Sequence, residues 1–360
     1  MNKGILSALD WSLLFPTIIL VIFGLATIFS VSTTFFTSQL IYVFVSLFAF
    51  FLFSQVHYKV IQLYGIHIYI AAVIILLFVL FLGFESRGAV RWVDVFGFRI
   101  QFSEILKPFL IISLASFLKN GKNYSFSHFV FCLLFLLPVT SLIFFQPDLG
   151  SALIYAGATI ATMLVFGFPF RWFVVGLFGM ILFLPVFWQF LHDYQKQRVL
   201  TFLSPGSDPL GTSYNAIQAM IAVGSGSIFG KGLGEGTQSV LRFLPERHTD
   251  FVFATLSESF GFVGGVVIIG CFAYLLYRIY VLYQRVDDKF RKAFCVAAFF
   301  LFLIQFFVNI GMNIGLVPIV GITLPFVSYG GSSLLSCFIL LGILSSFSFQ
   351  LKEREVLEIR

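Results

Sequence analysis

The segment WSLLFPTIILVIFGLATIFSV, residues 11–31, decides the class of fold of this chain. It carries no charged residue, and an apolar helix of about 20 residues is long enough to cross the hydrocarbon core of a bilayer. The segment lacks an A-x-A-like cleavage site, so we interpret it as a retained span and not as a secretory signal. The sequence therefore predicts a membrane protein from its first helix onward.

The rest of the chain is equally apolar. Of its 360 residues, 59% are hydrophobic and 11% are charged, and the mean hydropathy of +1.01 excludes a soluble globular protein. In lipid only helices and closed barrels satisfy their own backbone, and apolar runs of about 20 residues indicate helices. We expect an all-α polytopic membrane protein with ten transmembrane helices and a large outer loop between helices 7 and 8. The predicted spans cover about residues 11–31, 38–56, 63–83, 104–119, 127–146, 150–168, 171–190, 251–283, 292–317 and 331–350.

The distribution of basic residues orients the chain. An even number of spans puts both termini on one side, and Lys and Arg are enriched on the cytoplasmic side. With cytoplasmic termini, thirteen of the 22 Lys and Arg residues lie inside and eight lie outside. All eight fall in the outer loops 84–103 and 191–250, which we predict to form the substrate side of a single integral-membrane domain, residues 1–360. An anionic ligand would explain them; the alternative, that long loops cross the membrane whatever their charge, stays open.

Two patterns bear on other kinds of site. All four cysteines lie in apolar segments, so neither a disulfide framework nor a metal cluster is indicated, and we predict no metal ligand. The glycine-rich stretch GSGSIFGKGLGEG, residues 224–236, lacks the spacing of a phosphate-binding loop. The apolar segment before it, residues 212–223, predicts a short helix in a loop that folds back onto the membrane, with a flexible linker as the alternative.

The strongest candidate site is LPERHTDF, residues 244–251, which places Glu246, His248 and Asp250 at the mouth of an apolar span. An ionisable group at membrane depth is costly and is commonly functional. Asp250 is suited to act as a general base, and His248, two residues away, to tune it. The alternative is that Asp250 only caps the start of the helix.

Other polar residues lie inside one predicted span and at the junction between two others. The stretch QFSEILKPF, residues 101–109, places Glu104 and Lys107 on one helical face. This pair is either part of a site or an ion pair that only holds the helix in place. Asp148, in FQPDLGSAL, is either a ligand at the outer surface or a helix N-cap.

Arg87, Arg91 and Trp92 form a basic and aromatic group in the outer loop that follows the third predicted span. Guanidinium groups suit phosphate because their donors form a planar fork. Near the C-terminus, LPFVSYGGSSLL, residues 324–335, contains a Gly-Gly break before the last span. The break either presents amide groups to an anion or forms a tight turn.

These residues resemble the motifs of the SEDS family (shape, elongation, division and sporulation), the bacterial cell-wall polymerases. The resemblance runs through nearly the whole chain and is carried by GAVRW, QFSE, QPDLGSA, GKGLGEGTQ, LPERHTDF and NIGMNIGLVPIVGITLPFVSYGGSSLL. The chain looks more like the elongation branch, RodA, than like the division branch, FtsW. It departs from the family pattern at Phe102, where proline is usual, and at Arg87, which stands at an asparagine position.

The resemblance implies a ten-helix fold and a peptidoglycan glycosyltransferase that polymerises lipid II into β-1,4-linked glycan during cell elongation. The family's essential aspartate matches Asp250, which would take the proton of the acceptor hydroxyl in an inverting reaction. Cations of the outer loops would offset the charge of the lipid diphosphate. The candidate substrate-binding residues are Arg87, Arg91, Trp92, Glu104, Lys107, Asp148, Lys231, Arg242, Glu246 and His248.

The resemblance also implies partners: lipid II, a glycan linked to undecaprenyl diphosphate, a class B penicillin-binding protein that acts as transpeptidase, and the elongation machinery, without nucleic acid. The chain would be a multi-pass protein of the bacterial cytoplasmic membrane with both termini in the cytoplasm. No cofactor is certain, and a divalent cation, Mg²⁺ or Mn²⁺, stays open. Three alternatives also stay open: a lipid II flippase, a non-catalytic scaffold for a penicillin-binding protein, and a septal polymerase with the same chemistry.

Overall fold

The computed structural model describes residues 10–86, 89–95, 98–119, 125–204, 211 and 213–358. These residues form helices and one small sheet. In chain order the elements are α1 (Trp11–Val31), α2 (Thr33–Ser54), α3 (Tyr58–Leu63), α4 (Gly65–Leu82), β1 (Phe84–Ser86), β2 (Ala89–Val95), β3 (Phe98–Gln101), α5 (Phe102–Ile105), α6 (Lys107–Leu118), α7 (Phe126–Phe145), α8 (Leu149–Val165), α9 (Phe170–Phe190), α10 (Asp193–Leu203), α11 (Tyr214–Ser225), α12 (Thr237–Val240), α13 (Val252–Arg285), α14 (Lys289–Asn313) and α15 (Gly331–Glu358).

The helices confirm the prediction of an all-α polytopic membrane protein. Seven helices of the described chain, α1, α2, α7, α9, α13, α14 and α15, are long and apolar enough to cross a membrane. Three further apolar helices, α4, α6 and α8, coincide with predicted spans but are shorter. Each predicted span therefore matches an apolar helix, whereas the number of ten spans is not confirmed.

Short polar side chains set where several of these helices begin. Asp10 accepts a hydrogen bond from the Ser12 amide at the start of α1 (3.1 Å), and Asp288 accepts one from the Phe290 amide at the start of α14 (2.9 Å). Such N-caps satisfy amide groups that have no partner inside the helix. The apolar runs consequently begin at defined residues next to a carboxylate.

The loop between α4 and α5 contains a three-stranded antiparallel sheet in the order β1-β2-β3, which the sequence pattern did not indicate. Trp92 of β2 stands opposite Gln101 of β3, and Asp94 stands opposite Arg99. The strands are short, and only β2 shows a run of β-branched and aromatic residues, so the pattern signal is weak. Because β3 leads directly into α5, the sheet connects Arg91 to the QFSE segment.

Helices α14 and α15 form the centre of the bundle, and α9 lies at its edge. Phe290, Phe294 and Phe302 of α14 and Phe338 and Phe347 of α15 are among the largest fully buried side chains. In α9, by contrast, none of the residues is buried. Lipid tails are as apolar as Phe or Leu, so a helix without a buried face is compatible with a membrane. The most buried part of the bundle is therefore the part that contains α14 and α15.

Helix α13 is broken in its third turn, at Gly261. This residue has φ 68° and ψ −162°, a conformation that only glycine adopts readily. The break releases backbone groups that lipid cannot satisfy, and the glycine-rich loop satisfies them. Four hydrogen bonds join loop and helix: Lys231 N to Glu258 O (2.9 Å), Gly232 N to Ser259 O (3.1 Å), Phe262 N to Ser227 O (2.8 Å) and Val263 N to Ile228 O (3.1 Å). The loop thus folds back along α13, and the predicted short helix is present as α11, packed against the same helix. Contact of this loop with the membrane stays a prediction.

Glu258 anchors the same loop through its side chain. This carboxylate is 0% exposed and accepts hydrogen bonds from Gln238 N (2.9 Å), Ser239 N (3.0 Å) and Ser239 Oγ (2.7 Å). Lys231 Nζ lies 3.5 Å from Glu258 Oε1. A buried carboxylate is retained when it is paired and hydrogen-bonded in this way. The contacts of Lys231, a candidate substrate ligand, therefore serve to hold the loop.

We expect Gly261→Ala to lower the free energy of unfolding by about 1–3 kcal/mol. A Cβ at this position would meet the backbone nitrogen of Gly230 and lie 2.5 Å from Ile228 O, and its φ would be strained. Gly270→Ala, in the same helix with nothing within 4 Å, is the matched control. It should leave stability unchanged or raise it by up to about 1 kcal/mol. Thermal unfolding in detergent measures both, and equal effects would contradict the strain assigned to Gly261.

Candidate active site

The turn LPERHTDF is held by its backbone carbonyl groups. Four successive carbonyls, those of residues 247–250, each accept a hydrogen bond from another part of the chain. The donors are Thr255 Oγ1 to Arg247 O (2.9 Å), Tyr329 N to His248 O (2.8 Å), Ser328 Oγ to Thr249 O (2.7 Å), and Asn309 Nδ2 and Asn313 Nδ2 to Asp250 O (3.0 and 3.1 Å). A turn in which each carbonyl is fixed holds the backbone of Asp250 in one position.

Two asparagines of α14 give Asp250 most of this support. Asn309 and Asn313 are both 0% exposed and lie one turn apart. Asn313 Nδ2 also donates to Asn309 O (2.7 Å), and Asn313 Oδ1 accepts from the Ala254 amide (3.0 Å). The first turn of α13, which begins at Val252, therefore takes an acceptor from α14. The side chain that caps α13 is therefore that of Asn313. This observation does not support the alternative that Asp250 serves only as a helix cap.

The Asp250 carboxylate shares a space with the guanidinium of Arg198. A Cβ on Gly321 would lie 3.3 Å from Asp250 Oδ2 and 3.8 Å from Arg198 Nη1, so both side chains face this glycine. Burial lowers the pKa of Arg198, the Asp250 and Tyr194 groups raise it, and Arg91 lowers it. Arg198 lies on α10, which belongs to the long outer loop. A base and a guanidinium thus meet at the end of the bundle that carries the turn.

Tyr194 and Arg91 extend this cluster. The Tyr194 ring lies 5.4 Å from the Arg198 guanidinium carbon, and its hydroxyl donates to Pro147 O (2.9 Å). Burial raises the pKa of Tyr194, while Arg198 and Arg91 lower it and Asp148 raises it. The Nε atom of Arg91 is buried and has no hydrogen-bond partner among the described residues. Arg91, predicted from its basic loop, therefore lies near Arg198.

Asp148 has the N-cap geometry that the sequence analysis gave as its alternative. Its Oδ1 accepts from the Ser151 amide at the start of α8 (3.1 Å). Its Oδ2 accepts from Gln101 Nε2 and Ser103 Oγ, both at 2.9 Å. Both oxygens hold the QFSE segment and α8 together. A substrate contact by Asp148 stays a prediction, and it would have to add to these bonds or replace them.

Glu104 and Lys107 form the ion pair expected from their spacing. Lys107 Nζ lies 2.5 Å from Glu104 Oε1, and the two residues are 1% and 8% exposed. Glu104 Oε2 is buried without a hydrogen-bond partner among the described residues. The segment is also tied to α15, because Gln101 N donates to Ser332 Oγ (2.9 Å). Lys107 is too buried to meet a diphosphate from the surface. The geometry fits the alternative, an ion pair that only holds the helix in place.

The other candidates lie on the turn or near it. His248 stacks on Phe35, with ring centroids 4.3 Å apart, and Glu246 Oε2 accepts from Thr249 Oγ1 (3.1 Å). Burial and then Arg242 lower the pKa of Arg247, and Glu246 raises it, so Arg242 and Glu246 both lie close to Arg247.

Two candidate substrate-binding residues, Arg87 and Trp92, belong to the loop between α4 and α5. Trp92 pairs within the sheet with Phe84 and Gln101. Arg87 lies outside the described residues. Both stay predictions.

The Gly-Gly break before α15 forms a turn. The amide of Gly330 donates to Gln39 Oε1 (3.1 Å), and that of Tyr329 donates to His248 O. Gln39 Nε2 in turn donates to Ser328 O (3.2 Å). The amides of residues 329 and 330 are thus used inside the protein. This geometry fits the tight turn. Through these bonds the segment 324–331 holds the LPERHTDF turn in place.

Within the described ranges, no group of three or more His, Cys, Asp or Glu side chains could hold a metal ion. The neighbour assigned to the Asp250 carboxylate is a cation, Arg198. Binding of a divalent cation stays a prediction. The chemistry proposed below therefore rests on Asp250 and the nearby arginines.

A bundle of apolar helices defines a polytopic membrane protein, and this one has a carboxylate with a fixed backbone and two arginines near one another at one end. Residues 6–353 match the family model FTSW_RODA_SPOVE, described as cell cycle protein. The chain is 38% identical over 295 residues to the peptidoglycan glycosyltransferase MrdB of Escherichia coli (strain K12), covering 81% of this chain and 80% of MrdB. It is 34% identical over 356 residues to stage V sporulation protein E of Bacillus subtilis (strain 168), covering 94% and 96% of the two chains.

Solved structures give the same result. A chain from a peptidoglycan synthase complex that coordinates polymerization and crosslinking superposes with a TM-score of 0.82 at 30% identity, over 96% of this chain and 98% of that one. The rod shape determining protein RodA of Thermus thermophilus superposes with a TM-score of 0.72 at 27% identity, over 94% and 97%. The chain belongs to the FtsW, RodA and SpoVE family of cell cycle proteins.

The structure adds residues that the sequence analysis did not select. Arg198 was counted only among the basic residues of the outer loop. Asn309 and Asn313 stand in NIGMN inside an apolar span, where two amides one turn apart indicate a buried polar role. Ser328 and Gly321 are small residues whose positions only the fold reveals.

We expect Asn313→Ala to lower the free energy of unfolding by about 1–3 kcal/mol, because it leaves the buried amide of Ala254 without its acceptor. Thr162→Ala is the control: Thr162 is equally buried, but its hydroxyl donates to Ala158 O in its own helix. Thermal unfolding in detergent should show a clearly larger loss for the asparagine. Equal midpoints would mean that Asn313 does not hold the turn.

Proposed function

We propose that Asp250 is the general base with which this chain, a peptidoglycan glycosyltransferase, joins lipid-linked disaccharides into β-1,4-linked glycan. The substrate is lipid II, and the donor is a glycan strand on undecaprenyl diphosphate. The observation that carries the proposal is an aspartate whose backbone carbonyl is fixed by two asparagines of α14, and whose carboxylate lies beside Gly321 together with the Arg198 guanidinium. A base held in one geometry beside a cation suits proton abstraction during displacement of an anionic group.

The chemistry needs one carboxylate. Asp250 takes the proton of the acceptor hydroxyl while that oxygen attacks the anomeric carbon of the donor. The lipid diphosphate leaves from the opposite face, so an α-linked donor gives a β-linked product. Inversion by a single displacement requires a base and a stabilised leaving group. Preorganised positive groups such as Arg91 and Arg198 contribute to the second requirement, on the order of 3–4 kcal/mol for one donor.

The biological setting follows from the same proposal. The identity to MrdB favours cell elongation over septation. The structural likeness to a chain of a peptidoglycan synthase complex supports assembly with a class B penicillin-binding protein, which would crosslink the strands. The chain is a multi-pass membrane protein, and we place it in the bacterial cytoplasmic membrane with both termini inside. The turn and α10 then face the outer side, where lipid-linked precursors are polymerised.

We expect Asp250→Asn to leave the protein folded and bound to its partner and to lower polymerisation about 10²-fold or more, because an amide cannot accept the proton. Asp250→Glu should recover little, since a displacement of about 1 Å can itself cost roughly 10²-fold. The assay is the amount and length of glycan made from purified lipid II, normalised to folded complex. Asp287→Asn, which changes a carboxylate at the other end of α13, is the control and should polymerise normally. Normal strands from Asp250→Asn would return the turn to a structural role, as the scaffold alternative requires.

We expect cysteine at residue 235 to be labelled from outside intact cells. Glu235 is exposed on the loop that folds along α13, and the proposed orientation places this loop outside. The four native cysteines lie in helices, three of them buried, so the native chain serves as the background. A membrane-impermeant maleimide should label Glu235→Cys without permeabilisation. Labelling that appears only after permeabilisation would reverse the orientation.

A further inference from the structure

We propose that Arg198 is a second catalytic residue, whose guanidinium neutralises first the Asp250 carboxylate and then the diphosphate that leaves the donor. The inference rests on the proposed function. Arg198 lies in none of the family motifs, and the distribution of basic residues did not distinguish it from the other cations of its loop. It concerns one residue of α10, which lies in the outer loop.

The geometry places Arg198 at the base itself. Arg198 Nη1 and Asp250 Oδ2 both lie within 4 Å of the position that a Cβ on Gly321 would take, at 3.8 and 3.3 Å. Gly321 has φ 72°, in the left-handed region where glycine is preferred. Because Gly321 has no side chain, both groups can lie next to this position. A larger residue would occupy the place where acid and guanidinium converge.

Contacts made by Tyr194 hold the Arg198 side chain at this place. Tyr194 lies one turn earlier on α10, with its ring 5.4 Å from the guanidinium carbon. The Tyr194 hydroxyl donates to Pro147 O (2.9 Å), which joins α10 to the start of α8. An arginine packed on an aromatic ring keeps its charge and loses rotational freedom. Arg198 is thus held by the protein before any substrate arrives.

The charge balance of the reaction explains why one cation serves two anions. The acceptor O–H bond breaks, and its proton passes to Asp250. The acceptor oxygen forms a bond to the anomeric carbon of the donor, and the bond from that carbon to the diphosphate oxygen breaks, leaving its electron pair on the diphosphate. One negative charge disappears from Asp250 as one appears on the leaving group. When Asp250 becomes protonated, it no longer attracts the guanidinium. The guanidinium is then available to stabilise the negative charge that forms on the diphosphate.

The other charged and titratable groups of the region are known. Tyr194 lies on α10, Arg91 on β2, Asp148 at the start of α8, and Tyr329 before α15. The turn itself carries Glu246, Arg247 and His248. Arg91 is the second cation whose charge acts on both Arg198 and Tyr194. Loss of Arg198 therefore reduces the positive charge around Asp250, while the charge of Arg91 remains.

The experiment compares wild-type complex with Arg198→Gln, Arg198→Lys and Lys196→Gln in glycan polymerisation from purified lipid II across pH. Lys196 lies on the same helix, with its Nζ 4.0 Å from Asp193 Oδ1. Lys196→Gln is the matched control, because it removes an equal charge outside the proposed site. We expect Arg198→Gln to lower kcat about 10²-fold with little change in KM, because the negative charge of the leaving oxygen that Arg198 offsets develops only as the bond to the diphosphate breaks. Arg198→Lys should recover part of the rate, since it keeps the charge but not the planar fork. Lys196→Gln should match wild type.

The pH–rate profile separates this role from a structural one. Below the pKa of a catalytic carboxylate the base is protonated and the rate falls. A nearby positive charge favours the ionised form, so its removal moves this acid limb to higher pH, by about one pH unit or more. Arg198→Lys should keep the limb near its wild-type position. A purely structural loss would lower the rate equally at all pH values and leave the limb in place.

Asp250→Asn, measured in parallel, distinguishes the two proposals. If wild type polymerises, Asp250→Asn does not, and Arg198→Gln behaves like wild type, the role of Arg198 is overturned while that of Asp250 stands. An Arg198→Gln variant whose KM alone rises would make the residue a ground-state ligand and would also overturn the inference. If Asp250→Asn polymerises normally, the proposed function fails first, and the inference fails with it.

Discussion

The interaction on which the structure depends is the fixation of four consecutive carbonyl groups, those of residues 247–250, by donors from α13, α14 and the 324–331 segment. Residue 250 is separated in sequence from its asparagine donors by about sixty residues, so the turn has its shape only when the bundle is complete. Asn313 adds a second link, because it accepts from α13 while it donates to Asp250 O. The candidate base is therefore positioned by the centre of the protein and not by the loop that contains it.

A second constraint is that no backbone group in lipid can remain without a partner. Helix α13 breaks at Gly261, and the chain that precedes it in sequence folds back to satisfy the released groups. Glu258 and Lys231 then lock this loop from the side. The break and the loop form one unit, which is joined to the turn by the hydrogen bond from Leu244 N to Gln238 O (3.0 Å). Strain at one glycine is compatible with stability because its neighbours supply the missing hydrogen bonds.

Much of this could be predicted from residues alone, and the reasons differ from element to element. Apolar runs gave the helices and the polytopic class, because length and hydropathy are local properties. Asp250 and Arg91 stood out as charges where charge is costly. The sheet at 84–101 was missed because its strands are short and weakly patterned. Arg198 was not singled out because its role depends on α10, Gly321 and the turn meeting in space, which no spacing in the sequence reveals.

In the proposed mechanism the reacting hydroxyl meets Asp250 while the diphosphate meets Arg198 and Arg91. The most direct test is a structure of the Asp250→Asn variant, in complex with its penicillin-binding partner and lipid II. We expect an acceptor hydroxyl about 3 Å from the side chain of residue 250, with the donor diphosphate beside Arg198 and Arg91. A diphosphate bound at Lys231 or Arg242 instead, with the acceptor sugar away from residue 250, would contradict it.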